Sequence, residues 1–115
     1  MKLSDALTLR LRISGMERMR SGKPASSAKQ LDRWRREIDS LDEIILRALE
    51  LRARSVQEIG RYKKEHGLPV LDAARERVIL DRVMEKTSLL PHELRSEIFS
   101  TIIHRMREWE ASLVD

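Results

Sequence analysis

The chain has no cysteine, only three prolines and four glycines, and just four Trp, Tyr and Phe side chains in 115 residues. Without cysteine there are neither disulfides nor thiolate metal sites. With so few aromatics, any core must be aliphatic. No apolar run approaches the ~20 residues that a membrane-spanning helix needs. The N-terminus shows no apolar h-region, so a secretory signal is not expected and the cytoplasm is the expected location. No segment alternates apolar and polar residues with period two, so no strand is expected. What is present is charge: 37% of residues are Asp, Glu, Lys or Arg, against 41% hydrophobic. Together with the scarcity of Gly and Pro, this points to one all-α domain.

The net charge of +4 is unevenly spread. Residues 1–30 hold seven Lys and Arg against two acids, whereas the remainder holds 16 bases and 17 acids. The basic character belongs to the N-terminal segment and not to the body. A nucleic-acid-binding fold more often carries a basic surface on the domain itself, so no nucleic-acid partner is expected. Leu3, Leu7 and Leu11 are spaced for a short amphipathic helix. Ser21, Gly22, Pro24, Ser26 and Ser27 then read as a linker. Residues 1–28 are therefore expected to be a basic extension and linker, and residues 29–115 the domain.

Leu31 to Lys63 is the longest patterned stretch. Leu31, Trp34, Ile38, Leu41, Ile45 and Ala48 recur at steps of three and four, one face of a helix near heptad spacing. Arg52 falls where the next apolar residue belongs, and Val56 and Ile59 resume the stripe. These 33 residues make a helix of about 50 Å, against a radius of gyration of ~13 Å for a domain of this size. The stripe would be left wet in a single globule, and a second copy of the chain is the simplest cover. This first helix is expected over about Lys29–Glu65, stopped by Gly67 and Pro69. His66, at its end and without ligand neighbours, does not suggest a metal site.

A second helix is expected from an Asp72 cap to about Lys86, with Val78, Ile79, Val83 and Met84 as its apolar face. A third should start near Pro91 and reach about Leu113. On it, Leu94, Ile98, Ile102, Trp109 and Leu113 form one stripe. Phe99, Ile103, Met106 and Glu110 form the next.

Several charged residues share faces. Arg52 and Lys63 are 11 residues apart, about 20° past three turns and roughly 16 Å along the axis. Arg35 lies about 25 Å from Arg52 along the axis and on another azimuth, so one ligand cannot touch both on the same helix. An antiparallel partner helix could bring a second Arg35 towards Arg52. Asp72, Arg75 and Glu76 share a face at the start of the second helix. Spacing alone leaves two readings open. Cations and acids could converge on a pocket for a small molecule with two carboxylates, which Arg recognises in bidentate fashion. Alternatively, arginine stems pack along the seam with their heads in water, and Asp72, Arg75 and Glu76 are a cap and a surface ion-pair cluster.

The runs Trp34-Arg35-Arg36-Glu37-Ile38-Asp39-Ser40-Leu41-Asp42 and Glu58-Ile59-Gly60-Arg61-Tyr62-Lys63 resemble the first helix of the all-helical chorismate mutase family. Pro69 to Arg77 (PVLDAARER) resembles its loop and second helix, and Ile98-Phe99 through Ile102-Ile103 its third. The resemblance covers about residues 29–113. It implies an intertwined homodimer of three-helix chains that converts chorismate to prephenate without a cofactor, in phenylalanine and tyrosine biosynthesis. It also implies roles. Arg35 would bind a substrate carboxylate in the partner's site, and Arg52 the other carboxylate in its own subunit. Lys63 would donate to the ether oxygen and a carboxylate. Asp72 and Glu76 would hold the ring-hydroxyl region, and Arg75 would help orient the carboxylates. All six positions carry the residue expected.

Two positions depart from the family pattern. Met106 stands where bacterial relatives often have a Ser that contacts a carboxylate. Glu110 stands where many have Gln, the second donor to the ether oxygen, and fungal relatives have Glu. To donate, Glu110 must carry a proton, so activity is expected to improve at mildly acidic pH. Related substrates give the alternatives. A 4-amino-4-deoxychorismate mutase would face an amine with the same acids. Isochorismate-pyruvate lyase relatives typically lack the Asp-x-x-Arg-Glu pattern of Asp72, Arg75 and Glu76. A non-catalytic helical dimer or regulatory subunit is a further alternative, against which the full charged set argues.

Overall fold

The structure, a computed structural model, describes residues 27–113. The short helix expected within residues 1–20 lies outside the described residues. Among those described there are three α-helices and no strand: α1, Ser27–Glu65; α2, Ala73–Glu85; and α3, His92–Leu113. The expected order of one long helix and two shorter ones is observed. None of the described helices is long and apolar enough to cross a membrane.

The chain divides into two compact units, Met1–Arg52 and Ala53–Asp115, with α1 contributing to each. In the first unit Glu37, Ile44 and Leu51, seven residues apart, are buried. The stripe expected to be apolar lies one position further on. Its members Leu31, Trp34, Ile38 and Ile45 are between 43% and 56% exposed. Adjacent helical positions differ by ~100°, so two neighbouring heptad lines can look equally apolar in sequence yet differ wholly in burial. Arg52 continues the outer line and is itself half-buried.

The second unit starts within α1 and is shaped by how that helix stops. Gly67 has φ +62°, a left-handed conformation that costs other residues a Cβ clash. Leu68 N–H donates to the Lys63 carbonyl at 2.8 Å and Gly67 N–H to the Lys64 carbonyl at 3.4 Å. This pair of bonds is the Schellman arrangement. Pro69 then prevents helical continuation, and the chain turns back towards α2. Asp72 caps α2, its Oδ1 accepting from Arg75 N–H at 3.0 Å. Such a cap is worth about 1 kcal/mol. The far end of α2 is closed by Arg95 of α3, whose Nη1 donates to the carbonyls of Lys86 (2.5 Å), Val83 (3.3 Å) and Met84 (3.5 Å). A cation at a helix C-terminus also complements the macrodipole.

Helices α2 and α3 pack on each other. The inward row of α3 is Phe99, Ile103, Met106 and Glu110, with Ile103 and Glu110 buried. Leu94, Ile98, Trp109 and Leu113, from the neighbouring stripe, are exposed. On α2 the expected face is shifted. Val78 is exposed, and Leu80 joins Ile79, Val83 and Met84 among the half-buried residues.

Candidate active site

Lys63 lies in the last turn of α1, where the Schellman turn brings the following loop back over its side chain. Its Nζ donates to the Val70 carbonyl at 2.7 Å and to Glu110 Oε2 at 3.0 Å. The Lys63 and Glu110 side chains are only 16% and 8% exposed. Withdrawing two charges from water is costly, and their attraction offsets that cost only when the geometry is good. Both the ion-pair distance and the additional carbonyl meet that condition. An ammonium has three N–H donors. Two are engaged among the described residues, which leaves one for a ligand oxygen.

Gly60, one turn before Lys63 on the same face, explains how Glu110 comes so close to α1. A Cβ at Gly60 would sit 3.1 Å from Glu110 Cγ. The glycine is buried and helical, so its value here is close approach and not an unusual backbone angle.

Glu76 belongs to the first turn of α2. Its backbone N–H donates to the Asp72 carbonyl at 3.0 Å, but its carboxylate turns away from its own helix. It instead meets α3, with Oε1 2.7 Å from Arg107 Nη1 and 3.9 Å from His104 Nε2. Glu76, Arg107 and His104 line a cavity of about 250 Å³ together with Leu71, Leu80 and Ile103. Leu71 directly follows Val70, the residue bonded to Lys63, so one short loop reaches both clusters.

The expected site residues of the second unit are thus placed individually. Lys63 and Glu110 are brought together. Asp72 is exposed and acts as a helix cap, and Arg75 supplies the N–H it holds before an exposed side chain. Met106 is half-buried on the inward row of α3, between Ile103 and Glu110. Arg35 and Arg52 belong to the first unit, the former exposed and the latter half-buried. Sequence reading missed Arg107 and His104. Arg107 is three residues before Glu110 and four after Ile103, a spacing that places all three on adjoining positions of α3. That was the available signal.

Comparison with known proteins identifies the family. The family model for chorismate mutase type II matches residues 34–111. A bifunctional chorismate mutase/prephenate dehydratase from Aquifex aeolicus (strain VF5) is 34% identical over 82 residues, which is 70% of this chain. The chain spans 22% of that relative's length. No solved structure matches the chain significantly. The matched segment contains Arg35, Arg52, Lys63, Asp72, Arg75, Glu76 and Glu110, and runs from the outer line of α1 to the last turn of α3. On this match the chain belongs to the type II chorismate mutase family.

Proposed function

We propose that the chain is a chorismate mutase, an isomerase that converts chorismate to prephenate and acts as a homodimer. The observation that carries this reading is the largely buried Lys63–Glu110 pair, in a chain of that family. The reaction is unimolecular. An ether C–O bond breaks while a C–C bond forms between the enolpyruvyl group and the ring. Neither a nucleophile nor an external acid is consumed. The protein's task is to hold the flexible ether folded over the ring and to stabilise charge that separates as the C–O bond breaks.

The residues divide this work. Arg52, with Arg35 from a second copy, binds the two carboxylates, and Arg75 helps orient them. Planar guanidinium groups suit carboxylates because they match both oxygens at once. Lys63 directs its remaining N–H at the ether oxygen, the atom that gains negative charge. Its position is fixed in advance by the Val70 carbonyl and Glu110. Reorganisation during the reaction is therefore small, which is the condition under which electrostatic stabilisation is most effective. Glu110 holds the Lys63 ammonium through Oε2; a second hydrogen bond to the ether oxygen would need a proton on its Oε1. Asp72 and Glu76 hold the ring-hydroxyl region, with Glu76 carrying the larger part.

The homodimer is supported by the outer line of α1. Leu31, Trp34, Ile38 and Ile45 present apolar surface at a seven-residue repeat suited to another helix. Direct assay tests the activity: purified protein should consume chorismate and yield prephenate, and Lys63→Ala should lower kcat far more than it alters KM.

A further inference from the structure

Glu76 is the acid to which the proposed function gives the ring hydroxyl, and its surroundings bear on which substituent it accepts. Arg107 reaches it from α3, with Nη1 donating to Oε1 at 2.7 Å. The two side chains are 30% and 19% exposed, so the pair is shielded compared with the other arginine–carboxylate pairs of the second unit. The Arg61–Glu58, Arg77–Asp81 and Arg105–Glu108 pairs all have both side chains at least 58% exposed, and all lie within one helix. Arg107–Glu76 instead joins two helices at the wall of the α2–α3 cavity.

Both polar contacts given for the Glu76 carboxylate, to Arg107 and to His104 Nε2 at 3.9 Å, fall on Oε1 among the described residues. Oε2 is the oxygen left to meet a ligand. A carboxylate with no cation beside it attracts a protonated amine more strongly than a neutral hydroxyl. A carboxylate already matched by a guanidinium keeps its capacity to accept a hydrogen bond from a hydroxyl. It loses much of its attraction for a second cation, which would also be repelled by the first. Aliphatic amines carry a proton at neutral pH, so this discrimination applies to a substrate with an amine where chorismate has its ring hydroxyl.

The geometry points to Arg107 as a specificity-determining residue that anchors Glu76 through Oε1 and offsets its charge, so that the site selects a ring hydroxyl over a protonated amine. This inference rests on Glu76 facing the ring substituent, as the proposed function has it. Selection here works by disfavouring the wrong substrate as much as by favouring the right one. Arg107 acts through Glu76 and is a positioning residue.

The test is the ratio of kcat/KM for 4-amino-4-deoxychorismate to that for chorismate, in wild type, Arg107→Gln and Arg107→Lys. A ratio of this kind does not depend on the fraction of folded enzyme, so a loss of stability alone leaves it unmoved. Arg107→Gln removes the charge and should raise the ratio about tenfold, while Arg107→Lys should stay within about threefold of wild type. A ratio unchanged in Arg107→Gln, whether both rates fall together or neither falls, overturns the inference while leaving the proposed function intact. A folded wild type that converts neither substrate overturns the proposed function and this inference with it.

Discussion

Lys63 Nζ and Glu110 Oε2 meet at 3.0 Å although 47 positions separate them in the chain. The pair joins the last turn of α1 to the last turns of α3, and the Val70 carbonyl 2.7 Å from the same Nζ closes the intervening loop onto it. A helix stop, a loop and a distant helix are thereby tied to a single ammonium. Truncating it to Ala should lower kcat by about 10²–10³-fold, the range for loss of one preorganised donor to a developing oxyanion. KM should change much less. Arg52→Ala should raise KM as well as lower kcat. Steady-state kinetics on variants shown to be folded by circular dichroism make the comparison, and near-normal turnover in Lys63→Ala would remove Lys63 from its assigned role.

Glu110 fixes the Lys63 ammonium through Oε2, and Gln can accept the same hydrogen bond while its amide donates to an ether oxygen. Glu110→Gln should therefore keep kcat near or above the wild-type value, whereas Glu110→Ala should lower it by at least about tenfold. Steady-state kinetics on both folded variants decide it. Wild-type kcat in Glu110→Ala would remove Glu110 from the site.

Gly60 offers a case in which stability and activity should part. Replacing a helical Gly by Ala gains about 1 kcal/mol of helix propensity. Here the new Cβ would lie 3.1 Å from Glu110 Cγ, and the side chain would have to move by a few tenths of an ångström. Gly60→Ala should keep or raise the melting temperature while lowering kcat several-fold, as Glu110 shifts against Lys63. Thermal denaturation and kinetics on the same sample check both halves.

Arg95 should behave in the opposite way. It holds three carbonyls at the end of α2 and lies outside the residues assigned to substrate. Arg95→Met should lower stability by about 1.5–3 kcal/mol, the range for hydrogen bonds that involve a charged group. It should leave KM near its wild-type value. Denaturant titration beside substrate saturation curves provides the readout.

The proposed dimer, in which Arg35 would act across the interface, predicts complementation. Arg35→Ala and Lys63→Ala should each be nearly inactive alone. In a mixed dimer, the subunit carrying Arg35→Ala keeps its own Lys63 and receives an intact Arg35 from its partner. Random exchange of equal amounts should restore about a quarter of wild-type activity, one intact site in each mixed dimer. No recovery after exchange, with mixed dimers shown by native mass spectrometry, would place Arg35 elsewhere.

Local chemistry made the helix boundaries legible. Gly67 and Pro69 can end a helix, Asp72 can cap one and Pro91 can precede one, and each of these properties is carried by a single residue. The α3 row Phe99, Ile103, Met106, Glu110 was legible too, because a charged residue closing an apolar row stands out. On α1, periodicity found the outer line of Leu31, Trp34, Ile38 and Ile45 but did not single out the buried line of Glu37, Ile44 and Leu51. Two adjacent lines with the same repeat differ in what covers them, and periodicity does not encode that. The direct contact of Lys63 with Glu110 had no local signal, and the family resemblance only aimed both residues at one ether oxygen. The turn of Glu76 towards Arg107 was not anticipated, because the i, i+3, i+4 pattern with Asp72 and Arg75 suggested partners within its own helix. The partner it meets across the helices lies 2.7 Å away and is largely shielded.

The most direct test of the central claim is the loss of chorismate absorbance on addition of purified wild-type protein, with the product identified by chromatography. Stoichiometric appearance of prephenate, strongly reduced in Lys63→Ala, is the predicted result. Chorismate left unchanged by a folded wild-type protein, or turnover undiminished by Lys63→Ala, would contradict it.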